Sequence, residues 1–136
     1  MTRQSLGFAA RLANTVLRGL IGLAVVGDAL EWADATGTRL WDAEFHRLKG
    51  ELLLARDPAA LPSAKIAFGK AIDIARRQSA KSLELRASAS LARLLGRLGK
   101  RDEARHMLAE VYGWFTEGFD TLDLKEAKAL LEELAV

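Results

Sequence analysis

The stretch AKIAFGKAIDIARRQSAKSLELRASASLARLL, Ala64–Leu95, decides how the chain folds. It has no proline, few β-branched residues, and an abundance of Ala, Leu, Arg, Glu and Lys, the composition of α-helix. Its apolar residues recur at three- and four-residue spacing instead of alternating. The first half predicts a helix that buries Ile66, Ala67, Ala71, Ile74 and Ala75, with Phe68 on its flank. The second half predicts a helix over about 82–98 that uses Leu85, Ala89, Ala92 and Leu95 and stops at Gly99. Two such helices hide only one face each, so they need neighbours.

The neighbours repeat the pattern. A shift of forty residues sets Glu44-Phe45 on Glu84-Leu85, Leu52 on Ala92, Leu54 on Leu94, Ala64 on Ala104, Phe68 on Leu108 and Ala71 on Val111. Upstream the shift is nearer forty-two, with Val26, Ala29, Leu30 and Ala33 on Phe68, Ala71, Ile72 and Ala75. Small residues at Ala64, Ala71 and Ala104 let helices approach closely, and Phe68 and Leu108 fill the space between them. A period of this size carried by helix pairs is the mark of an α-solenoid. The alternative is an irregular helical bundle with chance self-similarity.

Five further helices complete the expectation. Two lie at about 3–13 and 16–35, the second ending at Gly37. One over about 40–56 carries a stripe of Trp41, Phe45, Leu48, Leu52 and Ala55. After the loop RDPAAL, Pro62 suits the first turn of the helix that follows. One over about 101–115 uses Ala104, Met107, Leu108 and Val111. The last, over about 122–135, uses Leu124, Ala127, Leu131 and Leu134. The chain thus reads as one all-α domain over 1–136, with a divergent first pair (1–36), a second pair (40–79), a third pair (82–116) and a capping helix (121–135).

Composition narrows the chemistry. Of 136 residues, 50% are hydrophobic and 28% charged, and the net charge is only +2, which gives no argument for a nucleic-acid partner. With no cysteine, disulfides, thiolate metal sites and cysteine nucleophiles are excluded. The apolar run GLIGLAVVG (Gly19–Gly27) follows a basic segment, as a leader would, but is too short to span a bilayer and is read as a buried helix. No membrane partner is expected, and the expected compartment is cytoplasmic.

Three segments carry a family likeness: WDAEFHRLKGELLLA (Trp41–Ala55), Ala64–Leu95, and VYGWFTEGFDTLDLKEAKALLEEL (Val111–Leu134). Together they resemble the C-terminal tetratricopeptide-like region of large bacterial adenylate/guanylate cyclase and ATPase proteins, over roughly residues 20–136. The resemblance implies a tetratricopeptide-like α-solenoid of about three helix pairs plus a C-terminal capping helix. It implies an accessory module and not the enzyme, because no G-x-x-x-x-G-K-[ST] phosphate loop occurs and no strand hairpin is present to carry a cyclase's paired aspartates.

The candidate sites follow. Tyr112, Trp114, Phe115 and Phe119 crowd around Gly113 and Gly118, two glycines that permit positive φ. They are read as a wedge beneath the last helix, with Asp123 three residues before Glu126 as an Asp-x-x-Glu capping box; a ligand pocket is the alternative. Arg86, Arg93 and Arg97 share a helix face, with Arg47 and Glu51 at the matching place in the preceding pair and Lys100, Arg101 and Arg105 nearby. They form either a positive groove for an acidic peptide or a solvated face balanced by Glu51, Glu84, Asp102 and Glu103. His46 and His106 lie in no zinc pattern, and Ser88 and Ser90 read as packing residues without a base. No catalytic residue, metal ligand or cofactor is therefore assigned. The expected function is a non-catalytic module that binds a protein or peptide, or an upstream cyclase or NTPase domain. The alternative is a structural homodimer that pairs through Leu6, Phe8, Leu12, Leu17 and Leu20 of the N-terminal helices.

Overall fold

A computed structural model describes residues 22–28, 30–31 and 41–136. The described residues are all-α, with no strand among them. Helix α1 covers residues 22–28, and residues 30–31 are also helical. Then come α2 (Asp42–Arg56), α3 (Leu61–Arg77), α4 (Lys81–Arg97), α5 (Arg101–Tyr112) and α6 (Leu122–Leu134). The expected helix at 3–13, the stop at Gly37 and the N-terminal apolar face lie outside the described residues.

Local chemistry sets the helix ends. Asp57 Oδ1 accepts the Ala59 N–H at 3.0 Å, which turns the chain at Pro58. Pro62 then sits in the first turn of α3, where its missing N–H costs nothing. Helices α3 and α4 end alike. Ala80 N–H donates to the Ala75 carbonyl at 2.8 Å, and Lys100 N–H to the Leu95 carbonyl at 2.9 Å. Both turns pass through a residue with positive φ: Ser79 at 54° and Gly99 at 78°. These are two copies of one glycine-type helix stop, the first built on a serine.

Each helix from α2 onward packs against the next, and the connections after α3 and α4 are too short for anything but a reversal of direction. In addition α2 touches α4 and α4 touches α6, while no Cα of α3 comes within 8 Å of α5. Helix α4 is therefore central, and it buries nine residues: Glu84, Leu85, Ala87, Ser88, Ala89, Ser90, Ala92, Leu94 and Leu95. The main core joins Leu85, Ala89, Ala92 and Leu95 to Ala104, Leu108 and Val111 of α5 and to Leu124, Ala127, Leu130 and Leu134 of α6. Phe68 packs with Ala64 and Leu94, and Leu91 touches this group, the main core and a third group of Ala71, Ile72 and Ala87.

Several expected faces are corrected. On α3, Phe68 is fully buried and Ile72 nearly so, whereas Ile66 is 63% exposed and Ile74 half-buried. Helix α4 packs against the face of α3 centred on Ala64, Phe68 and Ala71, which lies round the helix from Ile66. On α2, Trp41 and Ala55 are exposed, while Phe45, Leu48 and Leu52 are half-buried. A Cβ on Gly22 would lie 2.9 Å from Leu52 Cδ1, so α1 covers α2 at that point. On α6, Leu130 is buried and Leu131 only partly. Met107 of α5 is also partly buried, and α5 ends at Tyr112 instead of reaching 115.

Candidate interaction surface

Helices α2, α4 and α6 share one face, and charged residues tie it together. Arg47 on α2 holds Glu44 through Nε (3.0 Å) and Nη2 (2.6 Å). Glu44 also meets Arg86 of α4 at 3.3 Å. Arg86 in turn donates to Asp123 of α6, from Nε to Oδ2 at 3.1 Å and from Nη2 to Oδ2 at 2.9 Å. The ion pair is therefore held by a fork and not a single contact. The hydrogen bond to Asp123, more than any other cause, holds the Arg86 guanidinium above its ordinary pKa; partial desolvation opposes this. Two turns further along α4, Arg93 faces Glu126 at 3.7 Å. Ser90 donates to Glu51 at 2.7 Å, and Arg47 donates to Ser90 Oγ at 3.5 Å. Arg47, Arg86, Arg93, Leu122, Asp123 and Glu126 line a shallow cavity of about 250 Å³.

Arg47, Glu51, Arg86 and Arg93 thus come together as the spacing predicts. Arg97 lies outside that cavity but shares a second depression of about 360 Å³ with Arg93, beside Arg101, Gly96 and Leu134. There Arg101 Nη2 donates to the Glu133 carbonyl at 3.0 Å, at the end of α6 where free carbonyls attract cations. The counter-charges of the shared face are Glu44, Asp123 and Glu126 together with Glu51. Glu84 is elsewhere, buried between Arg76 (3.0 Å) and Lys81 (3.1 Å). The face is charge-balanced and not a positive groove. Sequence reasoning missed Glu44 and Glu126. The three-residue spacing of Glu44 to Arg47 was the available signal for the first; Glu126 pairs across helices and had none.

Asp123 is not the start of a capping box. The residue before α6 is Thr121, whose hydroxyl donates to the Gly118 carbonyl at 2.7 Å, and no side chain caps the helix. The Asp123 carboxylate lies inside the first turn, where it favours the helix dipole and holds Arg86.

The aromatic segment is only partly a wedge. Tyr112 and Phe119 meet at 5.9 Å between ring centroids, and Trp114 and Phe115 meet edge to face at 5.2 Å. Tyr112 and Phe115 are half-buried against the main core. Trp114 is 58% and Phe119 47% exposed. Of the two glycines only Gly118 takes positive φ, at 78°; Gly113 is helical at −65°. Under the segment lies a cavity of about 650 Å³ between the start of α4 and the α5–α6 loop, floored by Leu85 and Leu124 and walled by Trp114 and Phe115. Lys81 places its ammonium 5.8 Å from the Trp114 ring centroid.

The histidines stand apart from both regions. His46 lines a groove between α2 and α3 with Lys49, Ile66 and Lys70. Burial, then Lys70, then Lys49 push its pKa below 6.5, and Asp42 pulls the other way. His106 Nδ1 lies 3.1 Å from the Asp102 carbonyl one turn back. No three His, Asp or Glu side chains among the described residues are grouped to hold a metal ion, and no helix among those residues is long and apolar enough to cross a membrane. Comparison of the chain with protein-family models, curated proteins and solved structures returns no match.

Proposed function

We propose that this chain is a short tetratricopeptide-like α-solenoid that acts as a non-catalytic protein-interaction module, of the kind that closes bacterial cyclase and ATPase proteins. The helix order supports the solenoid: alternate helices α2, α4 and α6 meet, while the backbones of α3 and α5 stay apart. Their starts at Asp42, Lys81 and Leu122 keep close to the forty-residue period. In this reading the module works in the cytoplasm and binds a protein or peptide segment, or a cyclase or NTPase domain upstream in the same polypeptide.

The observation that carries the function is the composition of the shared face. Arg86, Arg93 and Glu126 surround Leu122, which is 68% exposed, and Trp114 and Phe119 stand in the loop just before it. Exposed apolar side chains rimmed by ordered charge mark docking surfaces, and arginine and tryptophan dominate their energetics. Shape and charge would select the partner, with no chemistry at the face.

The test is photo-crosslinking in the native cell. A photoreactive residue at position 122 is expected to give a discrete heavier adduct, and one at the exposed Asp73 of α3 is not. Arg86→Glu/Arg93→Glu is expected to cut the adduct by about tenfold, with unchanged helical circular dichroism as the control for folding. An adduct at twice the chain mass would point to the homodimer instead. No adduct at 122, or one indifferent to the double substitution, would sink the reading.

A further inference from the structure

We infer that the cavity beneath the aromatic segment is the partner-anchoring site, and that it receives a cationic side chain, Arg or Lys, next to an apolar residue of the partner. This rests on the interaction-module reading and names the chemistry of the segment bound.

Four observations converge. The cavity holds about 650 Å³, room for a long side chain and its neighbour. Its floor is apolar, Leu85 and Leu124, and its wall aromatic, Trp114 and Phe115, so an alkyl stem or an apolar anchor is desolvated on entry. Its charged lining is two carboxylates, Glu117 and Asp123, and no cation. Asp123 is neutralised by the Arg86 fork, whereas Glu117 is exposed and no described residue pairs with it. An incoming cation would therefore meet an open carboxylate beside π-faces, a combination that suits guanidinium or ammonium. The Trp114 ring already attracts a cation, Lys81, which borders the neighbouring cavity and not this one.

A second feature explains why Trp114 is so exposed. Gly118, at φ 78°, turns the chain so that Thr116 and Glu117 lie along the cavity while Phe119 folds back on Tyr112. The loop spends two aromatics on seating α6 and leaves Trp114 at the rim.

The experiment is selection of a displayed random-peptide library on the full chain, followed by titration of one enriched synthetic peptide against the chain and two variants. Trp114→Ala and Glu117→Gln both alter exposed side chains, so folding is expected to persist. Enriched sequences are expected to carry Arg or Lys beside an apolar residue. The peptide is expected to lose about tenfold in affinity on Trp114→Ala and about threefold on Glu117→Gln, and to weaken as salt rises. Enriched peptides that are acidic or neutral, or that bind both variants like the parent chain, would overturn this inference and leave the interaction module standing. A selection that enriches nothing would count against both.

Discussion

The pairs α2–α3 and α4–α5 occupy equivalent places in the forty-residue pattern and solve the same packing problem with different residues. In the first, Phe68 lies where the second has Leu108, and both are fully buried. In the first, Gly50 lies where the second has Ser90. A Cβ on Gly50 would sit 2.5 Å from Phe68 Cε1 and 2.7 Å from Cδ1, a distance no real contact tolerates. The glycine is thus the space that the phenyl ring occupies. With leucine on the partner helix, the equivalent position accepts a side chain, and Ser90 uses it to reach Glu51. At these positions a glycine on one helix goes with a phenyl ring on the other, and a serine with a leucine.

The largest expected effect breaks that balance. Gly50→Ala removes a helix-weakening glycine, worth about 1 kcal/mol, but drives a methyl into a ring that cannot leave. Overpacking of about 1–3 kcal/mol should win, so thermal unfolding falls by several degrees. Adding Phe68→Leu transplants the solution of the second pair, and most of the loss is expected to return. Gly69→Ala is the control: nothing lies within 4 Å of its Cβ, so the substitution should be neutral or stabilising. If Gly50→Ala and Gly69→Ala behave alike, the complementarity is wrong.

The next effect is smaller and of opposite sign, and it compares two serines on α4. Ser88 and Ser90 are both buried. Ser90 donates to Glu51, while Ser88 Oγ finds no hydrogen-bond partner. A buried unpaired hydroxyl is a cost, so Ser88→Ala is expected to stabilise the chain by about 1 kcal/mol in denaturant titration. Ser90→Ala should destabilise by about 1 kcal/mol, because Glu51 loses its donor. Two substitutions of equal size in the same helix would then move the midpoint in opposite directions.

Local pattern carried the central helix and little of the edges. Leu85, Ala89, Ala92 and Leu95 were legible because α4 is covered on several sides, and any three- or four-residue stripe of it meets a neighbour. Of the forty-residue matches, Ala64, Ala104, Phe68, Leu108, Ala71 and Val111 are all buried, whereas Phe45, Leu52 and Leu54 are half-buried where Leu85, Ala92 and Leu94 are buried. Helix α3 offers two apolar stripes, one through Ile66 and Ile74 and one through Phe68 and Ile72. Only the position of α4 chooses between them, and that is not a local property. The same holds for Asp123. An Asp-x-x-Glu spacing suggests a cap, but a fork from Arg86, thirty-seven residues away, claims the carboxylate instead. The four site residues Arg47, Glu51, Arg86 and Arg93 were found by helical spacing; Arg86 and Arg93 find their acidic partners across helices, where spacing along one helix is silent.

The smallest effect sets the outer groove against the shared face. On the shared face each arginine that lines the cavity has a carboxylate, whereas His46 stands beside Lys70 and Lys49 in a groove lined by no acid. Asp42 exerts the one opposing pull, from its own helix. Burial and the two lysines lower the folded-state pKa below the unfolded 6.5. The unfolded chain therefore takes up the proton first as pH falls. Stability is complete above 6.5 and declines as pH drops through the window between 6.5 and the lowered value. His46→Gln should flatten that part of the pH–stability profile. In an NMR titration of the ring, Lys70→Gln should move the His46 midpoint upward, and salt should do the same in part. Burial is the first cause and is not screened, so a remnant of the shift should survive high salt. A midpoint that returns fully to the unfolded value in salt would assign the shift to the lysines alone.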